Sequence, residues 1–201
     1  MKIGLWIEVY QTARVIYDRK TKKIIKVIPM RRKILEREAH SFVENFFRIL
    51  RTMLTSLDEE VVATDGGSTS ITDTQDLGSI RVTAVGGDDS YGIVVGSGTT
   101  PPTPGDYTLE SKIPHGTGAG QLSYGETGVS AVSVKGNDIY LYIDRTFTNL
   151  SGADIDISET GLIGWNTSAD HVLLARDVFS PPLTVADGAA ITIRYTIKAT
   201  T

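Results

Sequence analysis

The chain has 201 residues, 40% of them hydrophobic and 22% charged, with a net charge of −4 and no cysteine. These totals fit a globular protein that can bury a core without covalent staples. The missing cysteine excludes disulfides, thiolate zinc sites and cysteine nucleophiles.

The N-terminal "MKIGLWIEVYQTARVIYDRK" has no apolar stretch of signal-peptide length, since Glu8 interrupts the only candidate. No run approaches the roughly 18 apolar residues that span a bilayer. Cytoplasmic synthesis without general secretory export, and no membrane insertion, are the expectations. Charge is unevenly spread. Residues 1–58 hold 13 Lys and Arg against 6 Asp and Glu, a net of +7, whereas residues 59–201 hold 7 against 18, a net of −11. The break suggests a basic N-terminal assembly arm, 1–58, and an acidic domain, 59–201.

In the first region "ARVIYDRKTKKIIKVIPM" reads as a β-hairpin about the polar turn "DRKTKK", with Pro29 limiting further pairing. "RRKILEREAH" follows as a charged connector that could be helical. "SFVENFFRILRTMLTS" is an amphipathic helix opened by a Ser41/Glu44 capping box. Phe42, Phe46, Ile49 and Met53 form one apolar row and Val43, Phe47, Leu50 and Leu54 the next. Glu44, Arg48, Arg51 and Thr55 share the opposite stripe. Burial of the wide apolar face, in its own chain or on a neighbouring subunit, is the driving force expected. Lys20, Lys22, Lys23 and Lys26 surround the hairpin turn without the aromatic and glycine pattern of single-strand binders, which argues against direct nucleic-acid binding. Docking on the acidic surface of another copy uses them better.

From Glu59 onward short runs of strand type recur between turns such as "DGGS", "GGDDS", "KGND" and "ADGA". They are "VVAT", "SITD", "SIRVTAV", "YGIVVG", "VSAVSVK", "NDIYLYIDRTFTN", "DIDISETGLIGW", "HVLLARDVF", "LTVAD" and "AAITIRYTIKAT". Many short strands with no helices between them predict a mainly β fold. The form expected is an antiparallel β-sandwich, jelly-roll or Ig-like, preceded by the hairpin and the helix.

"GSGTTP" fails as a phosphate cradle: no Lys follows Gly98, and Pro101 stands where a dinucleotide fingerprint needs glycine. A scaffold explains it better. Gly96 and Gly98 would end the strand through positive φ, and Pro101 and Pro102 fix an extended path. Thr103, Pro104 and Asp106 would cap one helical turn, "PGDYTLE". No cofactor, metal or catalytic set emerges. His40, His115 and His171 have no ligand spacing. Asp154 and Asp156 read as a solvated acidic face, with calcium chelation as the sharper reading. Asp144, Glu159 and Glu126 form no evident carboxylate pair. Trp165, Tyr124, Tyr140 and Tyr142 leave a carbohydrate groove open.

"VVGSGTTPPTPGDYTLESKI" resembles a V-G-x-G-T-T-x-P-x-x-x-D-x-x-L segment of structural proteins of tailed bacteriophages and related archaeal viruses. Glu159, Gly161 and Leu162, then Leu174, Ala175 and Arg176, and finally Thr192, Ile193, Tyr195, Thr196 and Ile197 are similar to the closing strands of those proteins. The resemblance spans roughly residues 91–200. It implies a non-enzymatic virion subunit of head, neck, tail or fibre, located in the virion and partnered by copies of itself and other virion proteins. It carries over no catalytic residues. A receptor- or glycan-binding β-sandwich module of a tail fibre or baseplate is the alternative.

Overall fold

The computed structural model describes residues 2–39, 42–55, 57–71, 80–166 and 170–200. Over the described residues the protein is mainly β, with antiparallel sheets and one short helix. The strands, in chain order, are β1 (Lys2–Tyr17), β2 (Ile24–Glu38), β3 (Glu59–Val62), β4 (Ser68–Ile71), β5 (Gly92–Gly96), β6 (Ser123–Val129), β7 (Ser133–Lys135), β8 (Asp138–Thr148), β9 (Ile155–Trp165), β10 (His171–Val185) and β11 (Ala189–Thr200). The helix α1 (Glu44–Thr55) lies between β2 and β3.

The largest sheet runs β2-β1-β11-β8-β6, with β7 continuing the β6 edge of β8. A three-stranded sheet runs β10-β9-β5, and β3 pairs with β4. Strict alternation drives the large sheet. Ile191, Ile193 and Tyr195 turn inward, as do Leu5, Ile7 and Val9 on β1 and Ile143 and Phe147 on β8. They share one core with Ile93, Val95, Ile157, Leu162 and Leu173 of the three-stranded sheet. Period-two patterning of this kind fixes register, because a slip of one residue would expose the whole apolar row.

The N-terminal region departs from expectation in its reach. The hairpin is longer at both ends, and Pro29 does not stop it. Pro29 sits opposite Ala13 at a register shift, where an irregular edge strand tolerates a missing donor. "RRKILERE" is strand, not connector or helix, as Lys33 pairs with Tyr10 and Leu35 with Val9. Since β1 also pairs with β11 from Lys2 to Arg14, residue 58 does not divide two cores. "SIRVTAV" is not a strand among its described residues, where Arg81 makes only an isolated bridge to Trp165. "HVLLARDVF" and "LTVAD" merge into β10, whose register against β9 shifts between Val178 and Leu183.

Candidate functional site

Two buried arginines organise the loops around β5. Glu159 on β9 pairs opposite Gly96 on β5, and Gly161 opposite Arg176 on β10. The Glu159 side chain is fully buried. Its Oε1 accepts the Gly98 N–H (3.0 Å) and the Ser111 N–H (2.7 Å), and its Oε2 accepts the Glu110 N–H (3.1 Å) and Arg176 Nε (2.9 Å). Arg176 Nη1 reaches Asp106 Oδ2 at 2.9 Å, and Asp106 also takes the Thr103 N–H (3.0 Å) and hydroxyl (2.7 Å). Glu110 closes the network by accepting the Thr99 and Thr100 N–H groups, both at 2.8 Å. Burial works against the Asp106 carboxylate, but the Thr103 bonds and Arg176 outweigh it and hold its pKa below the usual range.

The motif residues therefore meet in one clasp that fastens loop 97–111 to β9 and β10. Gly96 and Gly98 do not have the positive φ expected of them. Their role is clearance, since a Cβ at either would lie 2.5 Å from Glu159 Oε1. A Cβ at Gly161 would likewise lie 2.5 Å from Leu109 Cδ1, and Leu109 is buried. Thr103 and Asp106 do bond to each other, but around a turn at Pro104 and Gly105 and not a helical turn. Pro101 and Pro102 lie on the extended stretch leading there. The Pro104 carbonyl accepts the Glu44 N–H at 2.9 Å, so the loop itself caps α1. The capping box expected at Ser41 and Glu44 lies partly outside the described residues, as does His40.

Arg145 on β8 is the second organiser. It donates to the carbonyls of Gly125 (2.8 Å), Tyr91 (2.9 Å), Ile93 (3.0 Å), Val85 (3.3 Å) and Asp88, and lies over the Tyr124 ring. Burial lowers its pKa. Sequence reasoning missed this residue; an arginine at an inward position of an otherwise alternating strand was the available signal.

The helix turns only part of its apolar pattern inward. Asn45, Ile49 and Thr52 are its buried residues. The Asn45 amide mimics a strand edge, donating to the Val62 carbonyl (2.8 Å) and accepting the Val62 N–H (3.2 Å). Arg48 and Arg51 both pair with Glu59. Of the expected interface residues, Val43 and Ile49 are buried in their own chain and Phe42 and Phe46 are half-buried and stacked. Phe47 (57% exposed), Leu50, Met53 (56%) and Leu54 (76%) face solvent. Lys20, Lys23 and Lys26 are exposed. Lys22 instead turns inward, its Nζ donating to the Leu150 carbonyl at 2.6 Å.

The aromatic residues considered for a carbohydrate groove do not converge. Tyr124 is buried, donating to the Ile113 carbonyl at 2.6 Å, and Trp165 is covered by Arg81 with the guanidinium carbon 4.0 Å from its ring. Tyr140 and Tyr142 lie on the outer face of the large sheet, where Tyr142 and Tyr10 flank Arg194, itself paired with Asp144 at 2.5 and 2.6 Å. A recess of about 620 Å³ opens there between Tyr10, Pro29, Met30, Asp144 and Arg194. Asp154 accepts the Asp187 N–H and Asp156 the Thr184 hydroxyl. Among the described residues no group of three His, Asp or Glu is gathered as a metal set, and no helix is long and apolar enough to cross a membrane.

No protein-family model, no curated protein and no solved structure matches the chain.

Proposed function

We propose that the protein is a non-enzymatic structural subunit of a virion, joining copies of itself or decorating a capsid or tail lattice, and that its two larger sheets form the layers of a jelly-roll or Ig-like sandwich. The observation that carries the reading is the outward apolar ridge of α1. A helix that buries Asn45 and Thr52 while exposing Phe47, Leu50, Met53 and Leu54 has an unmet need for a partner. The clasp supports it too. Every oxygen of Glu159 and Asp106 accepts from this chain, so the residues of the motif shape a rigid loop. Repetition in a symmetric lattice would then make weak contacts durable.

Sedimentation and light scattering of the full chain over a concentration series test this, with electron microscopy for tubes or shells. Deleting residues 1–58 is a poor probe, because it removes β1 from between β2 and β11. A defined oligomer or lattice is expected. A strict monomer that also fails to bind any particle would remove the reading.

The second reading is glycan recognition by the outer face, favoured by the Tyr10–Arg194–Tyr142 stack beside its recess. Its test is a glycan array with wild type and Tyr142→Ala. Binding lost in the variant would favour it, and Trp165→Ala is the control for a ring already covered.

A further inference from the structure

The large sheet has two unlike edges. At the β6 edge the loop before β5 supplies backbone partners: the Thr127 N–H donates to the Ala84 carbonyl (2.8 Å) and the Gly87 N–H to that of Tyr124 (2.9 Å). Strand β7, which continues this edge, is only three residues long. Such an edge is covered and short. The β2 edge is 15 residues long, and from Ile24 to Ile34 every residue is exposed. Ile24, Ile25 (69%), Val27, Ile28, Met30 and Ile34 all face solvent.

Part of that exposure is an overhang of the core-facing side. Val27 pairs directly opposite Val15, and directly opposed residues share a face. Val15 is buried in a small cluster with Ala13, Leu150 and Ala190, but Val27 on the same face is half open. Among the described residues, the sheet at this end of β2 thus continues one strand beyond its cover, whereas farther along Leu35 packs on the main core.

Charge completes the picture. The hairpin from 18 to 38 holds 9 basic and 3 acidic residues, a net of +6. The segment 42–71, which bears the α1 ridge, holds 2 and 5, a net of −3, with Asp58, Glu60 and Asp65 exposed in the stretch that follows the helix. An aliphatic basic strand and an apolar ridge in an acidic segment are complementary, and among the described residues neither is covered.

We propose that the α1 ridge of one copy (Phe47, Leu50, Met53 and Leu54) docks on the β2 overhang (Ile25 and Val27) of the next. The contact is heterologous, so it propagates head to tail into a ring or filament. This rests on the assembly reading above and supplies its contact.

The test uses the full-length chain and two variants of exposed residues, Leu54→Asp and Ile25→Asp/Val27→Asp, each checked for an unchanged circular dichroism spectrum. Each variant alone is expected to lose self-association by at least about tenfold, the scale of a truncated anchor. An equimolar mixture should recover a 1:1 heterodimer that grows no further, because the intact β2 of the first variant meets the intact ridge of the second. Raised salt should weaken it. If wild type assembles but either variant alone assembles as well, or the mixture stays monomeric, the head-to-tail contact is wrong while the assembly reading stands. If wild type stays monomeric at every concentration, the head-to-tail contact falls, and the assembly reading falls with it if the chain also binds no particle.

Discussion

Arg176 and Arg145 do the same mechanical task by opposite chemistry. Each is buried on a strand and fastens a long irregular loop. Arg176 sits among the carboxylates of Asp106 and Glu159, with Glu110 3.7 Å away, and its pKa is raised by Asp106 and Glu159 against the opposing effect of burial. Arg145 has backbone carbonyls as its hydrogen-bond partners, and burial lowers its pKa. A guanidinium offers five donors in a fixed fork, which is why both solutions use arginine and not lysine. One loop is held by charge pairs that protons can dissolve. The other is held mainly by carbonyls that no accessible pH alters, with Asp89 adding a titratable acceptor, for Lys112 and the His115 N–H.

The largest effect should come from breaking the charged clasp on its acidic side. Glu159→Gln keeps the shape but leaves Arg176 short of its buried counter-charge. A loss of about 3–5 kcal/mol in stability is expected, read as a lower denaturation midpoint in urea. Arg145→Met comes next, at about 2–4 kcal/mol, since it strands carbonyls that water can partly reach as the loop relaxes. A larger loss for Arg145→Met than for Glu159→Gln would reverse the comparison.

Acid should separate the two loops more finely. Asp106 and Glu110 have folded pKa values below their unfolded ones, Asp106 through Thr103 and Arg176 despite burial, and Glu110 first through the Thr100 amide. Groups depressed in this way add stability that is full above the unfolded carboxylate pKa, about 4. That stability fades as pH falls through the lower folded values. Hydrogen exchange, corrected for intrinsic rates, should therefore show loop 97–111 opening below about pH 4 to a greater extent than residues 82–92, where Asp89 is depressed but the Arg145 contacts persist. Equal loss of protection in both would mean that the carboxylates do not govern the first loop.

The smallest effect belongs to the solvent-facing pair on the large sheet. Arg194→Ala removes the bidentate contact to Asp144 and the stack on Tyr142, and should cost about 1 kcal/mol or less by thermal denaturation.

Much of the fold was legible in residue order. Alternation placed β8 and β11, and helical spacing placed α1, because both periods follow from local backbone geometry. The clasp was half legible. Gly96, Gly98, Asp106, Glu159 and Arg176 stood out as a pattern, but their meeting point did not, since they lie on three separate stretches of chain. The reach of the hairpin was hidden because β2 carries charges that suit an exposed edge as well as a connector or a helix. Arg145 stood at an inward position of an alternating strand, but the five carbonyls that satisfy it come from separate stretches of chain and were not legible.

The sequence by itself determined a cysteine-free, mainly β chain with one amphipathic helix and a basic-to-acidic break at residue 58, all consequences of composition and short-range period. Only the tertiary structure decided which face of that helix looks inward. Asn45 found the open backbone of Val62, and Arg48 and Arg51 found Glu59, and these directional bonds to β3 turned the apolar ridge to the outside. A hydrophobic pattern says that a face must be buried. It does not say in which molecule, because the burial is non-directional and is met as well by a neighbour as by the chain's own core.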